Sequence, residues 1–148
     1  MSNLPLRNEV PVDHTWDLSL LFSSQEAFEE AILNYHELLE TIQTYKGKLS
    51  NAEEIIDALS LYEKIITDFS KISHYGELAY EVDKLDPLKE ENNASVRNLR
   101  NKTGAATAFI RVEIAENNIE LLQSVMDSDE GKGYRVYIQD IIDLSLIH

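Results

Sequence analysis

The sequence predicts an all-α protein: an antiparallel bundle of long helices, about five of them, with an irregular N-terminal arm. Apolar residues recur at three- and four-residue steps over several long windows. Short polar segments separate these windows, and most of the windows open on a residue suited to capping a helix. No alternating apolar and polar run has the β-branched density of a sheet, and the chain holds no internal repeat.

Residues 1–22 read as the arm. Pro5 and Pro11 push the residues before them out of the helical region and each removes a donor. Trp16, Leu18, Leu20, Leu21 and Phe22 then gather more apolar surface than a loose tail needs, so the arm is expected to pack on the bundle. Residues 23–148 form the helical domain. Ser23-Ser24-Gln25-Glu26 has the Ser-x-x-Glu form of a capping box, and Phe28, Ala31, Ile32, Tyr35, Leu38, Leu39, Ile42 and Tyr45 follow on one face. Gly47 supplies a left-handed stop.

Ser50-Asn51-Ala52-Glu53 repeats the pattern before a stripe of Ile55, Ile56, Leu59, Tyr62, Ile65, Ile66, Phe69, Ile72, Gly76, Ala79 and Tyr80. Such a helix would be roughly 45 Å long. Gly76 costs ~1 kcal/mol against alanine inside a helix, so its place on the stripe points to a close neighbour or a kink. Asp86-Pro87 marks the third start, an N-cap acid followed by proline at the first helical position. Leu88, Val96, Leu99, Ala106, Phe109 and Ile110 carry its stripe, diluted by Asn92, Ser95 and Thr103. The small residues from Thr103 to Ala108 predict a tight crossing, and Arg97, Arg100, Lys102 and Arg111 are expected to meet acids on neighbouring helices. Asn117-Asn118-Ile119-Glu120 opens a shorter helix through Leu121, Leu122, Val125 and Met126. Tyr134, Tyr137, Ile138, Ile141 and Ile142 line the last one. That helix runs through Leu144, Leu146 and Ile147 to His148 without a stop signal. The expectation is a domain truncated at its C-terminal end, with an apolar patch inviting self-association.

Composition removes several functions. With 27 Asp+Glu against 13 Lys+Arg among 148 residues, the net charge of −14 argues against nucleic-acid and anionic-membrane partners. No cysteine is present, so disulfides, thiolate metal sites and cysteine nucleophiles are excluded. No apolar run approaches the ~20 residues of a membrane span, and the N-terminus lacks a signal core. A soluble, cytoplasmic setting is expected.

The residues that could carry chemistry are few. His36-Glu37-Leu38-Leu39-Glu40 approaches the His-Glu-x-x-His helix of zinc peptidases, whose two histidines share a face. Glu40 stands where the second histidine would be, and no third ligand is evident; the ordinary reading is two edge residues on an amphipathic helix. His14, His74 and His148 are scattered, and His74 is expected to bond Glu77. Glu26, Glu29 and Glu30 suit a helix N-terminus. Asp127, Asp129 and Glu130 lack the spacing of a calcium loop. No phosphate loop, nucleophile elbow or dinucleotide fingerprint occurs. No catalytic, cofactor-binding or metal-ligating residue is therefore assigned.

Three pieces together carry a resemblance. The arm from Val10 to Phe28 with its Trp16-Asp17-Leu18 element, the turn Tyr45-Lys46-Gly47-Lys48-Leu49, and the stretch from Tyr134 to Asp143 are similar to the N-terminal region of the oligoendopeptidase F family. These are zinc metalloendopeptidases of the thimet-oligopeptidase type. The resemblance implies a cytoplasmic oligopeptide-cleaving enzyme whose zinc sits in a C-terminal catalytic domain on a His-Glu-x-x-His helix. No such motif occurs in these 148 residues, so no family ligand is carried over. It further implies that this region helps wall a substrate channel, has the catalytic domain as its partner and is inactive alone. Two other readings stand beside it: a stand-alone acidic helical interaction module, and a small metalloenzyme built on His36 and Glu40.

Overall fold

The computed structural model describes residues 22–82 and 85–147, with side chains placed for all of these except 78–82 and 145–147. The described chain forms five α-helices and no strand: α1 (Gln25–Gln43), α2 (Ala52–Val82), α3 (Pro87–Ala115), α4 (Ile119–Asp127) and α5 (Arg135–Ile147), with a short 3-10 turn at Lys132–Tyr134 before α5. Of the arm, only Phe22 falls within the description.

The starts of α1 to α4 are capped by side chains, though three of them one residue later than the capping boxes predict. Ser24 Oγ, not Ser23, accepts from Ala27 N at 3.1 Å. Asn51 Oδ1, not Ser50, accepts from Glu54 N at 2.9 Å. Asn118 Oδ1, not Asn117, accepts from Leu121 N at 2.8 Å. In each case the cap is the last polar residue before the helical run, and its acceptor reaches the third amide. Asp86 caps α3 as expected, accepting from Leu88 N at 2.9 Å ahead of Pro87. Gly47 has φ +84°, the left-handed turn that lets the chain leave α1.

Helices α1 and α3 run parallel, with α2 antiparallel to both. Tyr75 of α2 stacks on Phe28 of α1 at 4.6 Å, whereas Phe69, nearly two turns earlier, meets Tyr35 at 5.9 Å. Phe28, Tyr35, Leu39, Ile42, Ile55, Leu59, Ile65, Ile72, Val96, Leu99, Ile110 and Ile114 form the shared core, joined by Leu122, Val125 and Met126 of α4 and Ile138 of α5. Helix α4 packs on α2 and α5, and α5 on α3.

Several expectations need correction. Ile66 and Leu88, placed on buried stripes, lie on the outside, 44% and 45% exposed. The tight crossing falls at Gly76, where an added Cβ would come within 2.5 Å of Val96 Cγ2 and 3.2 Å of the Asn92 carbonyl oxygen. It does not fall at Gly104, where a Cβ would meet nothing. Within that small-residue run Thr103 and Ala106 are buried, while Gly104, Ala105 and Ala108 face outward. At the C-terminal end Ile141 and Ile142 are core residues, and among the residues of the expected apolar patch whose side chains are described Leu144 is exposed.

Candidate functional site

The parallel pair α1 and α3 is held in register by polar side chains. The amides of Gln25 and Asn92 exchange two hydrogen bonds, each 2.8 Å, although Asn92 is buried. Ten residues along α1, the Tyr35 hydroxyl meets Thr103 Oγ1, which itself donates to the Leu99 carbonyl at 2.7 Å. With the threonine proton so committed, the tyrosine is the donor. Burial raises the Tyr35 pKa above the ordinary 10.0. At the far end the Glu113 carboxylate accepts from Gly47 N at 2.7 Å and Leu49 N at 3.3 Å. Asn117 donates to the Leu49 carbonyl at 2.8 Å and to the Glu113 and Ile114 carbonyls that end α3. Asn92 and Thr103, which look like dilutions of an apolar stripe, are thus its registration points.

On the outer side of this seam lies a furrow. One cleft of about 320 Å3 is lined by His36, Leu39, Glu40 and Gln43 from α1 and by Lys102, Ala105 and Ala106 from α3. A second, of about 470 Å3, shares Gln43, Ala105 and Ala106 and continues past Lys46, Phe109, Val112 and Glu116. The small residues of α3 open this space, because Ala105 and Ala108 present only methyl groups where longer side chains would fill it.

His36 and Glu40, one turn apart, do share the face that borders the furrow. The α3 residues opposite them are a lysine and two alanines, none of which can ligate a cation beside a carboxylate. Among the described residues no group of three His, Cys, Asp or Glu side chains is placed to hold a metal ion. A zinc site wants three or four converging donors, and this pair with Lys102 does not fit one. Glu77, expected to bond His74, accepts from Arg100 Nη2 at 2.8 Å, and the Arg100 guanidinium also lies 5.4 Å from the Phe69 ring centroid. Arg111 takes an aromatic partner, 5.3 Å from the Tyr137 centroid. Burial first, and then the neighbouring Tyr62, raise the Tyr137 pKa against the opposing effect of Arg111. The acidic loop after α4 is held by Arg135, whose Nη2 reaches Asp127 Oδ1 at 3.0 Å and the Met126 carbonyl at 3.1 Å. Glu26 lies in the first turn of α1, and Glu29 accepts from Gln25 at 3.0 Å. Among the described residues no helix is long and apolar enough to cross a membrane.

No protein-family profile matches the chain, and no solved structure does. Two curated proteins do. Oligopeptidase PepF of Bacillus subtilis (strain 168) is 28% identical over 142 residues, 95% of this chain and 21% of that protein. An oligoendopeptidase F homolog of Borreliella burgdorferi is 24% identical over 136 residues, 92% of this chain and 23% of that protein. The chain is therefore similar, along nearly its whole length, to peptidases of the oligoendopeptidase F type, and it spans about a fifth of the length of the curated relatives it matches.

Proposed function

We propose that this chain is the N-terminal helical part of an oligoendopeptidase F-like zinc peptidase. In that protein it would help to wall the channel through which oligopeptides reach the metal. Its partner there is the catalytic domain, its setting is cytoplasmic, and peptide hydrolysis needs residues outside these 148. The observation that carries the reading is the similarity over 92–95% of this chain to only about a fifth of each relative. The lack of a His-Glu-x-x-His run in the sequence supports the same view. So does a fold whose buried side chains are engaged in packing and registration.

The test uses the purified chain. Added zinc should leave its thermal midpoint unchanged and produce no cleavage of an unstructured oligopeptide. Stoichiometric zinc binding or robust hydrolysis overturns the reading, and substituting His36 and Glu40 by alanine then shows whether those residues are responsible.

The open furrow favours a second reading, an acidic helical module that binds another protein. The two separate on the DNA immediately downstream, which on the first reading encodes a His-Glu-x-x-His helix. Self-association through α5 would rest on Val136 and Leu144, both exposed, and light scattering across a range of concentrations measures it.

A further inference from the structure

The furrow between α1 and α3 continues beyond the two clefts described above. A third cleft of about 440 Å3 opens on the same side of the seam, bordered by Glu29, Ile32 and Leu33 of α1 and by Glu91 and Ser95 of α3. On α1, Glu29, Leu33, His36, Glu40 and Gln43 follow one another at steps of three or four, so one helical line borders all three clefts. Lys46, just past the helix, ends that line. Leu33 stands out on it, a large apolar side chain left 67% exposed. Residues 29 to 46 give the furrow a length of about 26 Å at ~1.5 Å per residue.

The hydrogen bonds between the two helices fix which residues share a level. Asn92 stands beside Gln25, Thr103 beside Tyr35 and Glu113 beside Gly47. Lys102 is therefore close to the level of Tyr35, and Phe109 to that of Ile42. The furrow then carries an alternating order of charge along its length: Glu29 near one end, Lys102 before the middle, Glu40 after it, and Lys46 near the other end. Read backwards, that order complements itself. The midpoint between Glu29 and Lys46 is also the midpoint between Tyr35 and Glu40. A second copy turned end for end about this point sets Lys46 against Glu29 and Lys102 against Glu40, each pair occurring twice. Leu33 comes opposite the level of Ile42, where Gln43, Ala106 and Phe109 line the furrow. The Glu113 carboxylate is already taken up by the amides of Gly47 and Leu49. Glu91 and Glu116 meet only at the open ends, where salt screens them.

We propose that the α1–α3 furrow is an interface between two copies of this chain, packed antiparallel about a two-fold axis near the middle of α1. Glu29 pairs with Lys46 and Glu40 with Lys102 across it, and Leu33 of each copy enters the other's furrow. The exposed line of α5 is no substitute as occupant, because Val136, Asp140, Asp143 and Leu144 bring no cation to Glu29 or Glu40. The pairing does not rest on the peptidase reading.

The experiment measures mass by light scattering over a range of concentrations, in about 0.15 M salt to screen the net charge of −14. The unaltered chain should run as two copies when concentrated and fall toward one on dilution. Glu40→Lys sets a lysine against the partner's Lys102, and Lys102→Glu sets a glutamate against the partner's Glu40. Each alone should weaken dimerisation by about tenfold or more. Mixing the two variants restores both pairs, so they should form heterodimers, identified by native mass spectrometry with one variant 15N-labelled. Pairing within a single chain cannot produce that rescue. Leu33→Asp should weaken the dimer as well, and Val136→Asp on α5 should not. All four positions are exposed, and circular dichroism checks that each variant folds. Should a charge variant unfold, Leu33→Asp against Val136→Asp decides. A single-copy mass at every concentration overturns the proposal and leaves the furrow to a different partner. A dimer indifferent to both charge variants, or a mixture that stays monomeric, overturns it too. A dimer lost in Val136→Asp places the interface on α5 instead.

Discussion

The two seams of α3 are built on opposite plans. Against α2 the backbones come so close at Gly76 that no β-carbon fits, and Val96 and the Asn92 carbonyl fill the space. Against α1 the helices stand farther apart on the outer side, leaving a furrow, and their register rests on Gln25 with Asn92, Tyr35 with Thr103, and Glu113 with the turn at Gly47. One seam is specified by shape and the other by hydrogen bonds. A close-packed seam resists any added volume, because interiors have few voids to take it up. A hydrogen-bonded seam resists lost partners, each worth about 1 kcal/mol net and more when a buried group is left unsatisfied.

Substitution can break this contrast. Gly76→Ala should be the most damaging, costing about 1–3 kcal/mol by overpacking against a stiff, buried valine. Urea titration measures it, and an unchanged midpoint would mean that the α2–α3 seam yields more easily than its contacts suggest. Glu113→Ala should come next, at roughly 1–2 kcal/mol, since two turn amides lose an ionised acceptor. Hydrogen exchange at Gly47 and Leu49 should accelerate with it. Asn92→Ala should cost about 1 kcal/mol by orphaning the Gln25 amide, which is only partly buried and can turn to water. Gly104→Ala should act in the opposite direction to Gly76→Ala and stabilise by about 0.5–1 kcal/mol, because the site is helical and open. The sign difference between the two glycines is the sharpest test of the comparison.

A pH dependence tests the buried tyrosines more gently. Burial raises the pKa of both Tyr35 and Tyr137 above 10.0 in the folded chain. Below pH 10 both states hold the phenolic protons and these groups add no slope. Above it the unfolded chain ionises first, so stability falls as pH rises toward and through the folded values. Tyr35→Phe and Tyr137→Phe should each flatten that alkaline decline in urea midpoints, and a slope unchanged from that of the unaltered chain in both variants would refute the assignment.

Much of the architecture was legible because its signals are local. The stripe through Phe28, Tyr35, Leu39 and Ile42, the stop at Gly47 and the Asp86-Pro87 start all act within a few residues. The cap frames slipped by one because Ser23-Ser24, Ser50-Asn51 and Asn117-Asn118 each offer two competent residues, and spacing to a later glutamate does not choose between them. Asn92 and Thr103 resembled imperfections because their partners lie 67 and 68 residues away, beyond the reach of periodicity. The face shared by His36 and Glu40 could be read from their spacing. Lys102, which sits across the furrow and spoils the pair as a metal site, could not.

The parallel α1–α3 arrangement also dictates an order of assembly. Gln25, Tyr35, Gly47 and Leu49 find their polar partners 64 to 68 positions further along the chain. An α1–α2 hairpin can collapse on its own aromatic contacts as soon as both helices exist, but its polar edge stays hydrated until residue 117 has been made. Helix α3 can meet its neighbour α2 across a short connection, so the α1–α3 hydrogen bonds, with their larger sequence separation, should be the last of these contacts to form.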